Sequence, residues 1–352
     1  MEKIKILHLL ASDRLSGAES VVCDIIENSS DKFEHFYCSV NGPIKKVLVD
    51  RNISFFPIKK LNIKNVSKVI NEINPNIIHA HDFRAGVIAS LCKKNCKLIS
   101  HIHNNSLWIR KICIKSMLFL LSSLKADKIL VVSNSIKNEF IFKRFITKKI
   151  VCVNNPVIRE KIISKVENNK KEIKYDICCI ARLSEAKDPM KFLRIIFELV
   201  KNNKELKVIW VGDGEMKDEV LSKANEMQLI DNISFLGFKE NPYVYLNQSK
   251  VFMLTSKWEG YGLVAFEALT LGKPCVVSNV GGLRNIVDST CGKLCNPNNI
   301  HEYINETEKL LLDKNYYNKK SKMAIKKSIL LDNQKSYFNN LENIYLNILL
   351  KH

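Results

Sequence analysis

Residues 250–277, KVFMLTSKWEGYGLVAFEALTLGKPCVV, read in turn as strand, loop, helix and strand. The run 250–254 is short and apolar, 262–271 carries apolar residues at helical spacing, and a Gly-Lys-Pro break precedes a second short run at 274–277. Such a unit is the building block of a parallel sheet covered by helices. Within it, Glu259 and Glu267 bracket the loop and helix start. Taking the helix from Gly262, residues Leu263, Val264, Glu267, Thr270 and Leu271 share one face by three-and-four spacing. A carboxylate on that mostly apolar face needs a partner, because Glu is almost never fully buried unpaired. The spacing predicts that the partner enters from outside, as a sugar hydroxyl would.

The amides of Gly262, Leu263 and Val264 fall in the first helical turn, where they lack intrahelical acceptors and suit an anion. Glu267 lies five residues beyond Gly262, roughly 7.5 Å at 1.5 Å per residue. That separation places a phosphate at the helix end and a ribose at the carboxylate without juxtaposing two negative charges. Glu259, on the preceding loop, is left for the group beyond the phosphates. The competing reading is a solvated Glu on each side of a Gly-rich turn.

The same alternation extends outward in both directions. In the first half, strands are expected at 4–10, 35–40, 53–57, 76–80, 97–102, 128–132 and 149–153, with helices at 17–28, 64–73, 84–93, 106–125 and 134–142. In the second, strands are expected at 175–180, 206–211, 232–236, 250–254 and 274–277. Helices there cover 189–201, 215–228, 262–271, 299–313 and 315–330. The fold class is therefore α/β, with two Rossmann-like doubly wound domains facing each other across a cleft. The first spans 1–153, a polar linker 154–173, and the second 174–334. A last helix at 335–352 is free to pack back on the first domain. Ligands of such sheets bind outside the carboxyl ends of the strands.

Four loops at those ends carry chemistry. SGAE, Ser16 to Glu19, opens a helix after the first strand, and Gly17 permits close backbone approach there. An ordinary βα turn is its alternative. In ARLSEAKDP, Asp188 caps a helix that begins at Pro189, so Lys187 stands just outside the helix and Arg182 five residues earlier. Two cations converging there suit a diphosphate, Arg by its planar fork and Lys as a point charge. The alternative is a solvated basic loop. VGDGE, Val211 to Glu215, is a truncated dinucleotide fingerprint with Lys217 where a third glycine belongs, a poor nicotinamide signature. HIHNN, His101 to Asn105, ends one strand, while His79 and His81 end its predecessor. Each pair points to one side. With only Asp82 nearby as a carboxylate, hydrogen bonding to substrate is favoured over metal for His103, and structural roles for the others.

Composition bounds the rest. The 352 residues allow two cores, and 46% apolar with 26% charged residues fits a globular protein. Eleven cysteines without a framework read as reduced thiols in a cytosolic protein. Met1 to Lys5 lead straight into IKILHLL without a secretory signal, and no apolar run reaches the roughly 20 residues of a membrane span. The net charge of +19 is concentrated in residues 1–170, with 29 Lys/Arg against 14 Asp/Glu. An acidic partner for that half is expected, with AT-rich codon bias as the alternative cause.

Taken in order, SGAES, HIHN, ARLSEAKDP, VGDGE, FLGF and WEGYGLVAFEALTLGKPCVVSNVGGLRNIV resemble the retaining glycosyltransferases of the GT-B, family 4 type, whose E-x7-E signature matches Glu259 and Glu267. The resemblance is strongest over 175–300. It implies that Glu267 binds the nucleotide ribose and Glu259 the donor sugar near the reacting carbon. Arg182 and Lys187 would neutralise the diphosphate beside the amides of Gly262 and Leu263. Gly17 would lie near the phosphates and His103 near the transferred sugar. It implies no cofactor and no metal in the site, in keeping with the lack of an Asp-x-Asp motif. The expected reaction moves a hexose or N-acetylhexosamine from a UDP-sugar, or else GDP-mannose, to a glycan acceptor. That acceptor is expected to be lipid-linked, in bacterial capsule, lipopolysaccharide or related polysaccharide synthesis. SLWIRKICIKSMLFLLSSLK, residues 106–125, combines apolar bulk with four cations. This suggests a cytoplasmic enzyme peripheral on the inner face of the membrane, against a buried helix with a basic edge. A sugar-nucleotide epimerase of the same fold is the main rival. A basic nucleic-acid-binding module rests on charge alone, and no nucleic acid partner is expected.

Overall fold

The apolar runs of the first half assemble into one parallel sheet, because each is followed by a helix that carries the chain back over a sheet face. The computed structural model describes residues 2–104, 106–167 and 172–350. Asn105 of HIHNN, residues 168–171 of the expected linker and the last two residues lie outside that description. The chain divides into two units, Met1–Pro156 with Asn333–His352, and Val157–Asp332. The stretch expected to be a linker is thus shared between the units and contains a helix, Arg159–Ser164. The final helix, Gln334–Leu349, belongs to the first unit.

The first unit contains β1 (Ile4–Leu9), β2 (Phe33–Val40), β3 (Phe55–Ile58), β4 (Ile77–His81), β5 (Lys97–Ile102), β6 (Lys128–Val131) and β7 (Ile150–Cys152). Their order is β3-β2-β1-β4-β5-β6-β7, all parallel. The second unit contains β8 (Tyr175–Ile180), β9 (Val208–Val211), β10 (Ile233–Phe235), β11 (Ser249–Leu254), β12 (Cys275–Ser278) and β13 (Gly292–Cys295). Their order is β10-β9-β8-β11-β12-β13, again parallel. In each sheet the order of the strands reverses beside its first strand, between β1 and β4 and between β8 and β11, which are the positions where doubly wound sheets bind ligands.

Central strands are buried on both faces and so read as continuous apolar runs: Val208–Val211 is buried at every position. Trp210 is buried edge-on against Phe192 of the helix Pro189–Asn202, with ring centroids 4.9 Å apart. Strand β13 was not expected, since GKLC has too few apolar residues to stand out. Four further short helices, Ile44–Asp50, Lys143–Ile146, Tyr243–Asn247 and Leu283–Ile286, also lie outside the expected elements. The expected helix 106–125 is two pieces, a 3-10 turn at Leu107–Arg110 and a helix at Ile114–Lys125. The break falls where Cys113 takes an extended conformation and a reciprocal cap forms with Ser116, whose hydroxyl accepts from the Cys113 amide at 2.9 Å.

Candidate active site

In the second unit the loops after β8 and β11 are tied together at the point of strand reversal. The Thr255 hydroxyl donates to the carbonyls of Lys187 and Asp188, at 3.0 and 3.1 Å. Lys191 Nζ returns a bond to the Thr255 carbonyl at 3.1 Å, and the Lys257 amide donates to the Ala186 carbonyl at 2.8 Å. Asp188 takes a left-handed conformation and caps the helix Pro189–Asn202 through the Lys191 amide at 3.2 Å. This lacing fixes Lys187 beside the loop that carries Glu259. Lys187 Nζ forms an ion pair with Glu259 Oε2, and the Ser256 hydroxyl donates to the same oxygen at 3.4 Å. Both side chains are largely shielded, at 22% and 15% exposure.

Arg182 goes elsewhere. Its Nη2 pairs with Glu215 Oε2 at 2.9 Å in an exposed position. The two expected diphosphate cations therefore sit on one loop, each held by a separate glutamate. Glu215 carries no signal of its own in the sequence, because the pattern in VGDGE lies in its glycines. That segment clamps the Arg182 loop by its backbone: the Leu183 amide donates to the Asp213 carbonyl at 3.2 Å, and the Met216 amide to the Leu183 carbonyl at 3.0 Å.

The helix of the E-x7-E segment runs Leu263–Thr270, with Gly262 as its left-handed cap at φ +91° rather than its first residue. The face assigned to Glu267 needs correction. Ala265, Phe266, Ala268 and Leu269 are buried together with Thr270 and Leu271 of the expected face, whereas Leu263, Val264 and Glu267 are half-buried. Glu267 thus lies at the margin of the packed face and escapes full desolvation. It also has a partner within the chain, since the Tyr243 hydroxyl donates to Glu267 Oε1 at 3.1 Å. Nothing in the sequence flagged Tyr243, which sits on the short unforeseen helix Tyr243–Asn247.

Two further features hold this loop. Gly281 has φ +49°, and a Cβ there would lie 1.8 Å from the Glu259 carbonyl oxygen, so the Val-Gly-Gly turn lies directly on the glutamate's backbone. Its neighbour Gly282 donates its amide to the Gly260 carbonyl at 3.1 Å. Lys273, of the Gly-Lys-Pro break, is buried and donates to the carbonyls of Asn247 and Ser249 at 2.7 and 2.6 Å. It satisfies backbone acceptors at the end of the Tyr243 helix.

In the first unit, Gly17 begins the helix Gly17–Glu27 and is exposed, and a Cβ there would meet nothing within 4 Å. The Ser16 hydroxyl donates to the buried Glu19, whose pKa is raised chiefly by burial. His103 follows β5, and its amide donates to Asp82 Oδ1 at 3.0 Å. Asp82 is left-handed at φ +68°, and burial pushes its carboxyl up to about 6. His103 is buried, and burial lowers its pKa to about 4. Two groups, His8/His79/His81 and His81/His101/His103, bring their nitrogens within 4.8 Å of one another and are the places where a metal would find ligands.

Comparison with known proteins adds a family to this geometry. Residues 160–327 match the family described as glycosyl transferases group 1, and residues 16–161 match glycosyltransferase family 4. The chain is a glycosyltransferase, its second unit matching group 1 and its first unit family 4. This glycosyltransferase is 25% identical to the Escherichia coli UDP-Gal:alpha-D-GlcNAc-diphosphoundecaprenol alpha-1,3-galactosyltransferase, covering 89% of each chain. It is 24% identical to the E. coli O-antigen biosynthesis glycosyltransferase WclY, over 82% of this chain and 84% of that one. Among solved structures it resembles Anabaena HepE in complex with UDP-glucose, with a TM-score of 0.84, 18% identity and coverage of 98% and 100%. The outer core galactosyltransferase WaaB gives 0.69 at 20% identity, with coverage of 98% and 99%. These likenesses show that the glycosyltransferase has the GT-B fold of two Rossmann-like domains.

Proposed function

We propose that the protein is a retaining glycosyltransferase that moves a hexose or N-acetylhexosamine from UDP to a lipid-linked glycan in bacterial surface-polysaccharide synthesis. The observation that carries this reading is the Lys187–Glu259 pair at the strand reversal of the second sheet. It sets a cation and an anion side by side, as needed where charge separates between a leaving diphosphate and a positively charging sugar. In this reading Lys187, Arg182 and the amides of Gly262 and Leu263 take the phosphates, Glu267 takes the ribose and Glu259 the sugar. Gly17 and His103, in the first unit, are read as substrate contacts of that unit. The two side-chain cations and the helix amides supply the charge compensation, so no metal is required, and turnover should survive EDTA. UDP as the base-bearing half is supported by the UDP-glucose complex of HepE, and a diphospholipid-linked acceptor by the name of the E. coli galactosyltransferase.

The acceptor side is supported by an inverted helix. In Ile114–Lys125 the buried positions are Ser116, Phe119, Ser122 and Ser123, while Ile114, Met117, Leu121 and Leu124 are 77%, 52%, 58% and 48% exposed. Lys111, Lys115 and Lys125 are exposed around them. Outward apolar residues ringed by cations fit the headgroup region of an anionic membrane. Among the described residues no helix is long and apolar enough to cross one.

A thermal-shift panel of UDP-, GDP- and ADP-sugars tests the donor. Stabilisation by UDP-sugars above the others is expected, and equal indifference to all three would overturn the reading. Co-sedimentation with anionic vesicles at low salt tests the surface. Retention there and release by Leu121→Asp is expected, and no retention would remove the membrane from the proposal.

A further inference from the structure

The helix Arg159–Ser164 lies in the stretch expected to be a linker, yet it belongs to the second unit and is anchored there along its length. At its start Arg159 Nε donates to the Ser328 hydroxyl at 3.0 Å, and further on Ile162 and Val166 are buried. The carbonyl of Lys165, at the helix end, is one of the acceptors that a helix leaves without an internal partner. The Asn241 side-chain amide donates to it at 2.9 Å. The oxygen of that same side chain accepts from the Tyr243 backbone amide at 3.3 Å. Asn241 thus ties the end of one helix to the first residue of the helix Tyr243–Asn247.

A second tie runs through the Lys165 side chain. Its Nζ stands over the Tyr243 ring, 5.2 Å from the centroid, within the range where a cation is attracted to an aromatic face. On the far side of that ring, the Tyr243 hydroxyl donates to Glu267 Oε1 at 3.1 Å. A positive charge at the ring face draws electron density from the phenol oxygen. Its O–H becomes a stronger donor, as happens wherever linked polar contacts polarise one another. Asn241 therefore fixes where the tyrosine backbone starts, and Lys165 fixes where the ring lies and how firmly its hydroxyl holds the carboxylate.

We propose that Lys165 is a positioning residue for the nucleotide, acting through Tyr243 to hold the Glu267 carboxylate in the orientation that receives a ribose. The role on the nucleotide rests on the proposed reading of Glu267, whereas the contacts from Lys165 to Tyr243 do not. The helix Arg159–Ser164 is then part of the nucleotide site's support and more than a connector between domains.

The test uses the full-length protein with UDP as the probe, followed by calorimetry. Lys165→Met keeps the stem against the ring and removes the charge, so UDP affinity should fall about threefold. It should return in Lys165→Arg. In a Tyr243→Phe background, which keeps the ring but has no hydroxyl to transmit the effect, Lys165→Met should change nothing further. With 13C-tyrosine labelling, the Tyr243 ring signals, assigned by their loss in Tyr243→Phe, should shift in Lys165→Met without any nucleotide. Unshifted signals would overturn the contact. Shifted signals with unchanged UDP affinity, or a threefold loss that persists in Tyr243→Phe, would overturn the role on the nucleotide. Unchanged UDP affinity in Glu267→Ala would instead sink the ribose reading and this role with it, while the ring signals still report the contact.

Discussion

Lys187 and Glu259 form an ion pair that closes the loop after β8 onto the loop after β11. Under the proposed reaction these two side chains serve opposite sides of the bond that breaks in the donor, yet in the free protein each satisfies the other. The pair holds both side chains in place, and donor binding exchanges one ionic partner for another. Part of the binding energy therefore goes into opening the pair, which ties the phosphate contact to release of the carboxylate.

Glu259→Gln should separate the two roles. With the carboxylate removed, Lys187 is free for phosphate, so the donor KM should hold or fall while kcat drops at least about 100-fold. Steady-state kinetics with a UDP-sugar would show this. A raised KM with normal kcat would assign Glu259 to donor binding alone.

Tyr243 and Glu267 should act as a unit on the nucleotide. Glu267→Ala is expected to weaken UDP binding by about 10- to 100-fold, the worth of hydrogen bonds to a charged group. Tyr243→Phe, which removes one bond that orients the carboxylate, should cost about fivefold. Calorimetry on the wild type, both single variants and the double variant gives the coupling. Strict additivity would contradict the shared role.

Gly281 and Gly17 make opposite predictions for the same change. Gly281→Ala forces a methyl group into the Glu259 carbonyl at a positive φ, so it should lower stability by at least about 2 kcal/mol and abolish turnover. Gly17→Ala meets no atom within 4 Å. It should leave the melting temperature alone and raise the KM for a substrate bound by the first unit. Loss of stability in Gly17→Ala would show a structural role there instead.

Asp82 and the imidazoles give the first unit opposing pH dependences. Burial raises the Asp82 carboxyl from 3.8 to about 6, so the folded state holds a proton that the unfolded chain releases between those values. Its stabilising effect is present at acid pH and is lost as pH rises through about 6. Asp82→Asn keeps an acceptor for the His103 amide and should gain up to about 3 kcal/mol at pH 7.5, shrinking to nothing below about pH 4.

The histidines behave the other way. Those of His35 and His103 fall from 6.5 to about 4, so the unfolded state binds protons that the folded state refuses. Stability should fall as pH drops below 6.5, by about 1.4 kcal/mol per unit for each imidazole until its folded pKa is reached. Urea unfolding between pH 7.5 and 4.5, followed by a probe in the first unit, measures the sum. A flat profile would mean that these imidazoles are protonated or solvated in the folded state.

The two parallel sheets, most strand positions and the loops that matter are legible in the residues alone, because buried parallel strands must be continuous apolar runs separated by helical stretches. The E-x7-E pair is legible too, since that signal is spacing along one short segment. What the residues alone could not supply was who meets whom. Lys187 and Glu259 are 72 residues apart and Tyr243 and Glu267 are 24 apart, and those contacts exist only once β8 lies beside β11. The face of Glu267 was misjudged for the same reason: periodicity gives the stripe, but the neighbouring elements decide which side of the stripe is covered. His8 and His35 carry no signal of their own because a single His on a strand has no period, and only sheet register brings four strands' imidazoles within hydrogen-bond reach of one another.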